Sequence, residues 1–158
     1  RKVKVEYPFL SLVIAGDGAE LENAKKYVKK RNIPNVRFLG YVEGMDKKRT
    51  FQNANLYLFP SYHGEGMPNS LLEAMAFGLP CITTNVGGIS DFFEDGKMGY
   101  IINKNDSARL AEFIKILVRN PDLHRSISEY NFQYAKEHFY TTTVVKRLEA
   151  IYANLLDS

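Results

Sequence analysis

The chain has 158 residues, of which 45% are hydrophobic and 25% are charged, a composition typical of one globular domain. The net charge of +3 is too small to indicate a nucleic-acid partner, and the single cysteine excludes an internal disulfide. The longest apolar run, residues 9–15, is much shorter than the roughly 18 residues that a membrane-spanning helix needs. We therefore expect one domain over residues 1–158 without a signal peptide. Because the sequence starts at Arg1 and not at methionine, we expect a fragment of a longer protein.

The first third of the chain alternates strands with helices. An apolar, β-branched run predicts a buried strand of a parallel sheet at residues 10–15, and further elements follow as a helix at 20–31, a strand at 36–42 and a short helix at 46–53. Gly16-x-Gly18 after a strand resembles the start of a dinucleotide-binding turn, but Leu21 stands where the third glycine belongs. A tight strand-to-helix turn is therefore favoured.

The central part, residues 56–86, is a strand-loop-helix-strand unit. A short apolar strand ends at Pro60, and a loop with Gly64 and Gly66 leads into an apolar helix over residues 71–77. Gly78 supplies the left-handed residue that ends a helix, and Pro80 prevents its continuation. The second strand, residues 81–84, contains the cysteine, which we expect to be buried and structural.

The last part of the chain is mainly helical. Gly87 and Gly88 open a turn, and the predicted elements after it are a short helix at 89–93, a strand at 100–102, and helices at 107–119, 122–138 and 143–156. Asn105 or Asp106 is expected to cap the first long helix, and Pro121 to stop it.

This alternation predicts an α/β fold: a Rossmann-like, doubly wound parallel sheet with helices on both faces. Each glycine-rich turn follows a predicted strand. Ligands of such sheets bind at the carboxyl ends of the strands, so these turns are expected to share the edge that carries the site.

Two acids flank a helix start at that edge. Glu65 precedes the helix, Glu73 lies one turn into it, and the N–H groups near Ser70 and Leu71 lie between them. Such a helix start binds anions, because its first N–H groups lack partners and its dipole is positive there. Carboxylates beside an anion site fit a sugar hydroxyl or a developing sugar cation. The alternatives are a capping box, in which Glu73 satisfies only backbone donors, and a solvated loop acid at Glu65.

The segment EGMPNSLLEAMAFGLPCITTNVGG resembles the signature of family 4 glycosyltransferases with the GT-B architecture, whose Glu-x7-Glu motif is matched by Glu65 and Glu73. DGKMGYIINKND, residues 95–106, is also similar to the family, and the resemblance extends over about residues 12–137. It implies one half of a GT-B fold, the C-terminal, donor-binding domain of a retaining enzyme.

The resemblance also implies roles for individual residues. Glu73 would hold the ribose of a nucleotide-diphosphate sugar, and Ser70 and Leu71 would bind the diphosphate through backbone N–H groups. Gly66, Met67 and Asn69 would line the sugar. Glu65 would be the catalytic residue that steadies positive charge at the anomeric carbon. The base would stack near Tyr41 and Val42, and Gly16 completes the set of substrate-binding residues.

The resemblance further implies no metal and no cofactor other than the donor substrate. The family has one more strand before residue 10, ending in an Arg and a Lys that clamp the diphosphate, whereas Arg1, Lys2 and Lys4 fall too late for that role. We therefore expect the first strand to be truncated, the N-terminal acceptor domain to be missing, and this fragment to be inactive alone. The helix within residues 140–158 would pack on that missing domain.

Two alternatives remain open. One is a sugar-nucleotide epimerase of GT-B fold, and the other is a non-catalytic nucleotide-binding module. The resemblance implies a cytoplasmic parent and leaves open its peripheral association with the inner face of the membrane.

Overall fold

The computed structural model describes residues 2–64 and 66–156, and the chain forms two compact units, Arg1–Asn53 and Ala54–Ser158. Strands alternate with helices in both units, and all strand pairs are parallel. The predicted α/β class is confirmed. The described strands form two sheets, of two and three strands, where the sequence pattern suggested one.

The first unit contains β1 (Leu12–Ala15), α1 (Leu21–Lys30), β2 (Val36–Gly40) and α2 (Gly44–Gln52). β1 pairs with β2 from Leu12, opposite Val36, to Ala15, opposite Gly40. The prediction that β1 is a buried strand is wrong for this chain, since Leu12 and Ala15 are exposed. The physical reason is that β1 has only β2 as a neighbour among the described strands, and α1 buries none of its residues.

The second unit holds the remaining elements. They are β3 (Tyr57–Phe59), α3 (Asn69–Ala76), β4 (Cys81–Thr84), a 3₁₀ helix (Gly87–Asp91), β5 (Gly99–Ile102), α4 (Ser107–Arg119), α5 (Pro121–His138) and α6 (Thr141–Leu156). The strand order is β3-β4-β5. Asp106 caps α4 by accepting the N–H of Arg109 at 2.9 Å, and Asn120 caps α5 by accepting that of Leu123 at 3.1 Å. The predicted cap of α4 and its stop before Pro121 are confirmed.

Strand β4 is the centre of this unit, with all four residues buried. Ile82 packs on one face in a cluster with Phe113 and Leu117 of α4. The neighbouring residue Cys81, opposite Tyr57 of β3, belongs to the other face, where α3 contacts both strands. Helices therefore cover both faces of the three-stranded sheet, which explains why all four residues of β4 are buried rather than every second one.

The turn at Gly78 and the thiol of Cys81 behave as their residue types require. Gly78 ends α3 with φ +70°, and a β-carbon there would lie 3.2 Å from the carbonyl oxygen of Ser128. The predicted helix stop is confirmed. Burial raises the pKa of the Cys81 thiol, so this cysteine is a structural, unreactive group as expected.

Helix α6 contrasts with α4 and α5 because it buries none of its described residues. Its apolar side chains are exposed along the whole helix, from 37% at Val144 to 87% at Leu156. The prediction that part of this apolar arc is exposed is confirmed. Among the helices of residues 2–64 and 66–156, none is long and apolar enough to cross a membrane.

Candidate functional site

The candidate site is built around the first turn of α3. The helix begins at Asn69, directly after Pro68, and no side chain caps it. The carbonyl oxygen of Pro68 accepts the N–H groups of Leu71 at 2.9 Å and Leu72 at 3.3 Å. Within the described part of the chain, the structure gives no acceptor to the N–H groups of Asn69 and Ser70. These two groups lie at the positive end of the helix dipole, where a helix start favours an anion. Leu71, a predicted contributor, already donates its N–H within the helix.

Ser70 and Glu73 do not form a capping box. Ser70 is the second residue of α3, not its cap, and its side chain is hydrogen-bonded to the hydroxyl of Tyr57 in β3. Burial raises the pKa of Tyr57, and the hydrogen bond with Ser70 only partly opposes this rise. The phenol next to Ser70 is therefore neutral. The capping-box alternative is wrong, because the helix starts at Asn69, two residues earlier than a cap at Ser70 requires.

Glu73 lies one turn into α3 and is half-buried, with its Oε2 atom fully enclosed. Apolar side chains surround this part of the helix: Leu71, Ala74 and Met75 are completely buried. A carboxylate that is partly shielded from water binds hydroxyl or N–H donors more strongly than an exposed one. Glu73 is therefore suited to hold a polar ligand group next to the helix start.

The loop from β3 to α3 carries further candidates. Gly66 and Met67 are exposed, with Met67 53% accessible, and Asn69 is exposed at the helix start. His63 packs its ring against that of Tyr62, with centroids 4.3 Å apart. Glu65, the predicted catalytic residue, lies outside the described residues. Its role stays a prediction.

The loops that follow β3 and β4 meet at one edge of the three-stranded sheet. The N–H of Gly88, after β4, donates to the carbonyl oxygen of Gly66 at 3.0 Å. The hydroxyl of Thr84, the last residue of β4, donates to the carbonyl oxygen of Ser61. Glycine-rich turns at the carboxyl ends of these neighbouring strands therefore come together, as the sequence pattern predicted.

The remaining candidates belong to the first unit. Gly16 follows β1 with φ +135°, and its N–H donates to the carbonyl oxygen of Gly40 at 2.7 Å. Tyr41 follows β2 and is 73% exposed, and Val42 is half-buried. In this unit, too, the candidates lie where the strands end. The side chain of Tyr41 is accessible for stacking on a flat ligand.

Sequence reasoning missed three residues of this site. They are Tyr57 and Thr84, and Gly88 in its role as the residue that contacts Gly66. The sequence did carry a signal for Thr84: a hydroxyl side chain at the end of a strand that is expected to be buried indicates a hydrogen bond there. Tyr57 gave no signal, because a tyrosine in a short strand is ordinary core composition. No cluster of three or more metal-ligating side chains occurs among residues 2–64 and 66–156.

Comparisons with known proteins identify the family and the fold of the chain. The sequence profile of "Glycosyl transferases group 1" matches residues 1–134. The N-acetyl-alpha-D-glucosaminyl L-malate synthase of Bacillus anthracis is 32% identical over 146 residues, 92% of this chain and 38% of that protein. The chain thus spans well under half the length of this relative.

Two solved structures share the fold. A mutant of S. aureus TarM, in complex with Fondaparinux, alpha-GlcNAc-glycerol and UDP, superimposes with a TM-score of 0.80 at 25% identity, over 99% of this chain and 31% of that one. The C-terminal domain of a glycosyl transferase group 1 family protein (LpcC) from Francisella tularensis superimposes with a TM-score of 0.76 at 21% identity, covering 88% of this chain and 74% of that one. The chain belongs to the glycosyl transferases group 1 family and has the fold of the C-terminal domain of a GT-B glycosyltransferase.

Proposed function

We propose that this chain is the donor-binding half of a retaining glycosyltransferase. The whole enzyme moves a sugar from a nucleotide-diphosphate sugar to a glycan, lipid or small-molecule acceptor. The observation that carries the proposal is the uncapped start of α3 with the half-buried carboxylate of Glu73 one turn further along. The presence of UDP in the crystal of the TarM relative supports a nucleotide-sugar donor.

The diphosphate binds at the start of α3. The N–H groups of Asn69 and Ser70 donate to its oxygens, and the helix dipole contributes about 0.3–1 kcal/mol, or up to about 2 kcal/mol when the site is partly buried. Glu73 accepts hydrogen bonds from the ribose hydroxyls. A carboxylate is suited to this role because hydrogen bonds to charged groups contribute about 1.5–3 kcal/mol each. Tyr41 and Val42 contact the base, and Gly16 lets the backbone approach the donor.

Transfer breaks the bond between the anomeric carbon and the diphosphate oxygen, which keeps the electron pair. The acceptor hydroxyl forms the new bond to the same face of that carbon and gives its proton to the departing diphosphate. Glu65 steadies the positive charge that develops on the sugar ring between these events. Gly66, Met67 and Asn69 line the sugar. No group other than the donor substrate is needed as a cofactor.

The rest of the parent protein supplies the other half of the reaction. Its N-terminal domain holds the acceptor, and a further strand before residue 10 contributes cationic groups to the diphosphate. An arginine and a lysine at the diphosphate would contribute about 1.5–3 kcal/mol each as charged donors. Residues 1–158 alone therefore bind nucleotide sugars weakly and transfer no sugar. The parent acts in the cytoplasm, where its acceptor places it at the inner face of the membrane if that acceptor is a lipid.

A thermal-shift screen of the full-length protein against a panel of nucleotide sugars tests this function. We expect one family of donors, sharing a base, to raise the melting temperature, and the same donors to support sugar transfer. If no nucleotide or nucleotide sugar stabilises the protein, the proposed function is wrong. If donors bind but no acceptor preparation is glycosylated, the non-catalytic binding module is the correct alternative.

A second assay examines the isolated chain. Purified residues 1–158 should show no more transfer than the Glu65→Ala variant of the same fragment. Transfer above that control would show that the missing domain is not required.

A further inference from the structure

The loop that leads from β3 into α3 is held at both ends by the last residue of β4 and the turn that follows it. At its beginning, the hydroxyl of Thr84 donates to the carbonyl oxygen of Ser61. At its end, the N–H of Gly88 donates to the carbonyl oxygen of Gly66 at 3.0 Å. Both contacts lie within the second unit, and both connect β4 or the turn after it to the loop.

Thr84 carries a buried hydroxyl at a position in the fold where an apolar residue would be expected. It is only 1% exposed, at the end of a strand whose other members include Cys81 and Ile82. Burying a hydroxyl costs free energy unless it is hydrogen-bonded, so the bond to Ser61 is what makes threonine acceptable there. Thr83 adds a weaker tie, since its hydroxyl donates to the carbonyl oxygen of Phe59 at 3.2 Å.

Gly88 is required by a close approach and not by its backbone conformation. Its φ lies outside the left-handed region, so alanine could adopt the same backbone. A β-carbon there would lie 2.8 Å from the carbonyl oxygen of Gly66, and 3.5 Å from Oδ2 of Asp91. The first distance is shorter than real β-carbon contacts, so any larger residue would push Gly66 away.

We propose that Thr84 and Gly88 are positioning residues that set the sugar-lining part of the loop, Gly66 and Met67, relative to the start of α3. This inference rests on the proposed function. Neither residue contacts the donor's phosphates in this scheme. Thr84 ties Ser61 at the beginning of the loop, and Gly88 ties Gly66 itself, the residue directly before Met67. Their loss would disturb binding of the sugar while leaving the diphosphate and ribose contacts in place.

Three variants of the full-length protein test the inference. Thr84→Val keeps the shape of the side chain and removes its donor, Thr84→Ser keeps the donor, and Gly88→Ala introduces only the clash with Gly66. Ser90→Ala, at an exposed position on the same 3₁₀ helix, is the control for general disturbance of that segment.

The first measurement does not depend on catalysis. Hydrogen exchange of the peptide covering residues 61–68 should become at least about tenfold faster in Thr84→Val and Gly88→Ala, because each removes one restraint on the loop. Thr84→Ser and Ser90→Ala should exchange as the wild type does. Unchanged exchange in both Thr84→Val and Gly88→Ala would overturn the inference.

The second measurement separates positioning from general destabilisation. UDP and the UDP-sugar that binds the wild type best are titrated into each variant by calorimetry. We expect the affinity for UDP to stay within about twofold, while the affinity for the UDP-sugar or kcat falls about tenfold or more. Equal losses for both ligands would show a merely structural role and contradict the inference.

The two measurements can fail independently of each other. If the wild-type protein binds neither UDP nor any nucleotide sugar, the proposed function is refuted. The hydrogen-exchange result still decides whether Thr84 and Gly88 restrain the loop. If Thr84→Val fails to fold, Gly88→Ala decides alone, since Gly88 is only partly buried and its substitution leaves the core untouched.

Discussion

The hydroxyl of Tyr130 donates a hydrogen bond to Glu94 Oε1 at 2.6 Å, which joins the middle of α5 to the turn before β5. Lys97 binds the other oxygen of the same carboxylate. The hydrogen bond from Lys97 and then that from Tyr130 hold the pKa of Glu94 below its usual value of 4.5. The same contact with Glu94 raises the pKa of Tyr130 above its usual value of 10.0.

Tyr130→Phe should therefore lower stability in a pH-dependent way. A carboxyl with a lowered pKa contributes stability above its usual pKa and loses it as the pH falls, and a phenol with a raised pKa loses its contribution as the pH rises. The difference in melting temperature between wild type and variant should be largest between pH 4.5 and pH 10.0 and should shrink on both sides. A difference that persists unchanged at pH 3 would assign it to packing instead.

Asn131, on the same helix, should matter more for stability. It is completely buried, and its Nδ2 donates to the carbonyl oxygens of Leu79 and Met98, both at 2.8 Å. Asn131→Leu removes both hydrogen bonds. We expect the free energy of unfolding to fall by about 1–3 kcal/mol, near the sum of two net hydrogen bonds. The loss is not larger because the Met98 carbonyl oxygen still accepts the N–H of Cys81 in the variant.

Urea unfolding checks this prediction, with Gln133→Leu as the control at an exposed position of α5. Equal stabilities of Asn131→Leu and the control would show that the two buried bonds contribute nothing net.

Helix α6 is predicted to pack against the rest of the full-length protein. Leu148 and Ile151 are 47% and 55% exposed in this chain. Ile151→Lys should leave the melting temperature of residues 1–158 nearly unchanged, since a substitution at an exposed position usually changes stability by less than about 0.5 kcal/mol. In the full-length protein it should lower the melting temperature by several degrees. Glu149→Lys, on an exposed position of the same helix, is the matched control, and equal effects of both variants would argue against a covered face.

The alternation of strands and helices could be predicted from the sequence because each transition carries a local signal. Gly78, Asp106 and Pro121 ended or started helices where their chemistry requires it. Exposure was harder to predict. The run at β1 is more apolar than that of β4, yet only β4 lies between two described strands and under helices on both faces. No local pattern reports how many neighbours a strand has.

The candidate site was predictable only as far as its residues are close in sequence. Glu73 and the start of α3 lie within one segment, and a helix start has a recognisable pattern. The start was misplaced by two residues, at 71 instead of 69, because Ser70 is a typical cap, whereas in the structure its hydroxyl binds Tyr57. The contact between Gly88 and Gly66 joins two loops across the sheet and could not be read from spacing.

Glu65 should affect turnover more than binding. If it stabilises charge that develops only as the glycosidic bond breaks, Glu65→Gln in the full-length protein lowers kcat strongly and changes the donor KM little. Steady-state kinetics with varied donor concentration provides the test, and Glu112→Gln, an exposed acid on α4, is the control. A normal kcat in Glu65→Gln would remove this residue from the mechanism.

The most direct test of the account is calorimetric titration of the preferred nucleotide sugar into the full-length protein and its Glu73→Gln variant. The exchange of carboxylate for amide weakens the hydrogen bonds to the ribose but keeps the size of the side chain. We predict an affinity about 10- to 150-fold lower, which corresponds to about 1.5–3 kcal/mol for a charge-assisted hydrogen bond. The variant should keep the melting temperature of the wild type without ligand. An unchanged donor affinity would show that Glu73 does not hold the ribose and would contradict the assignment of this helix start as the donor site.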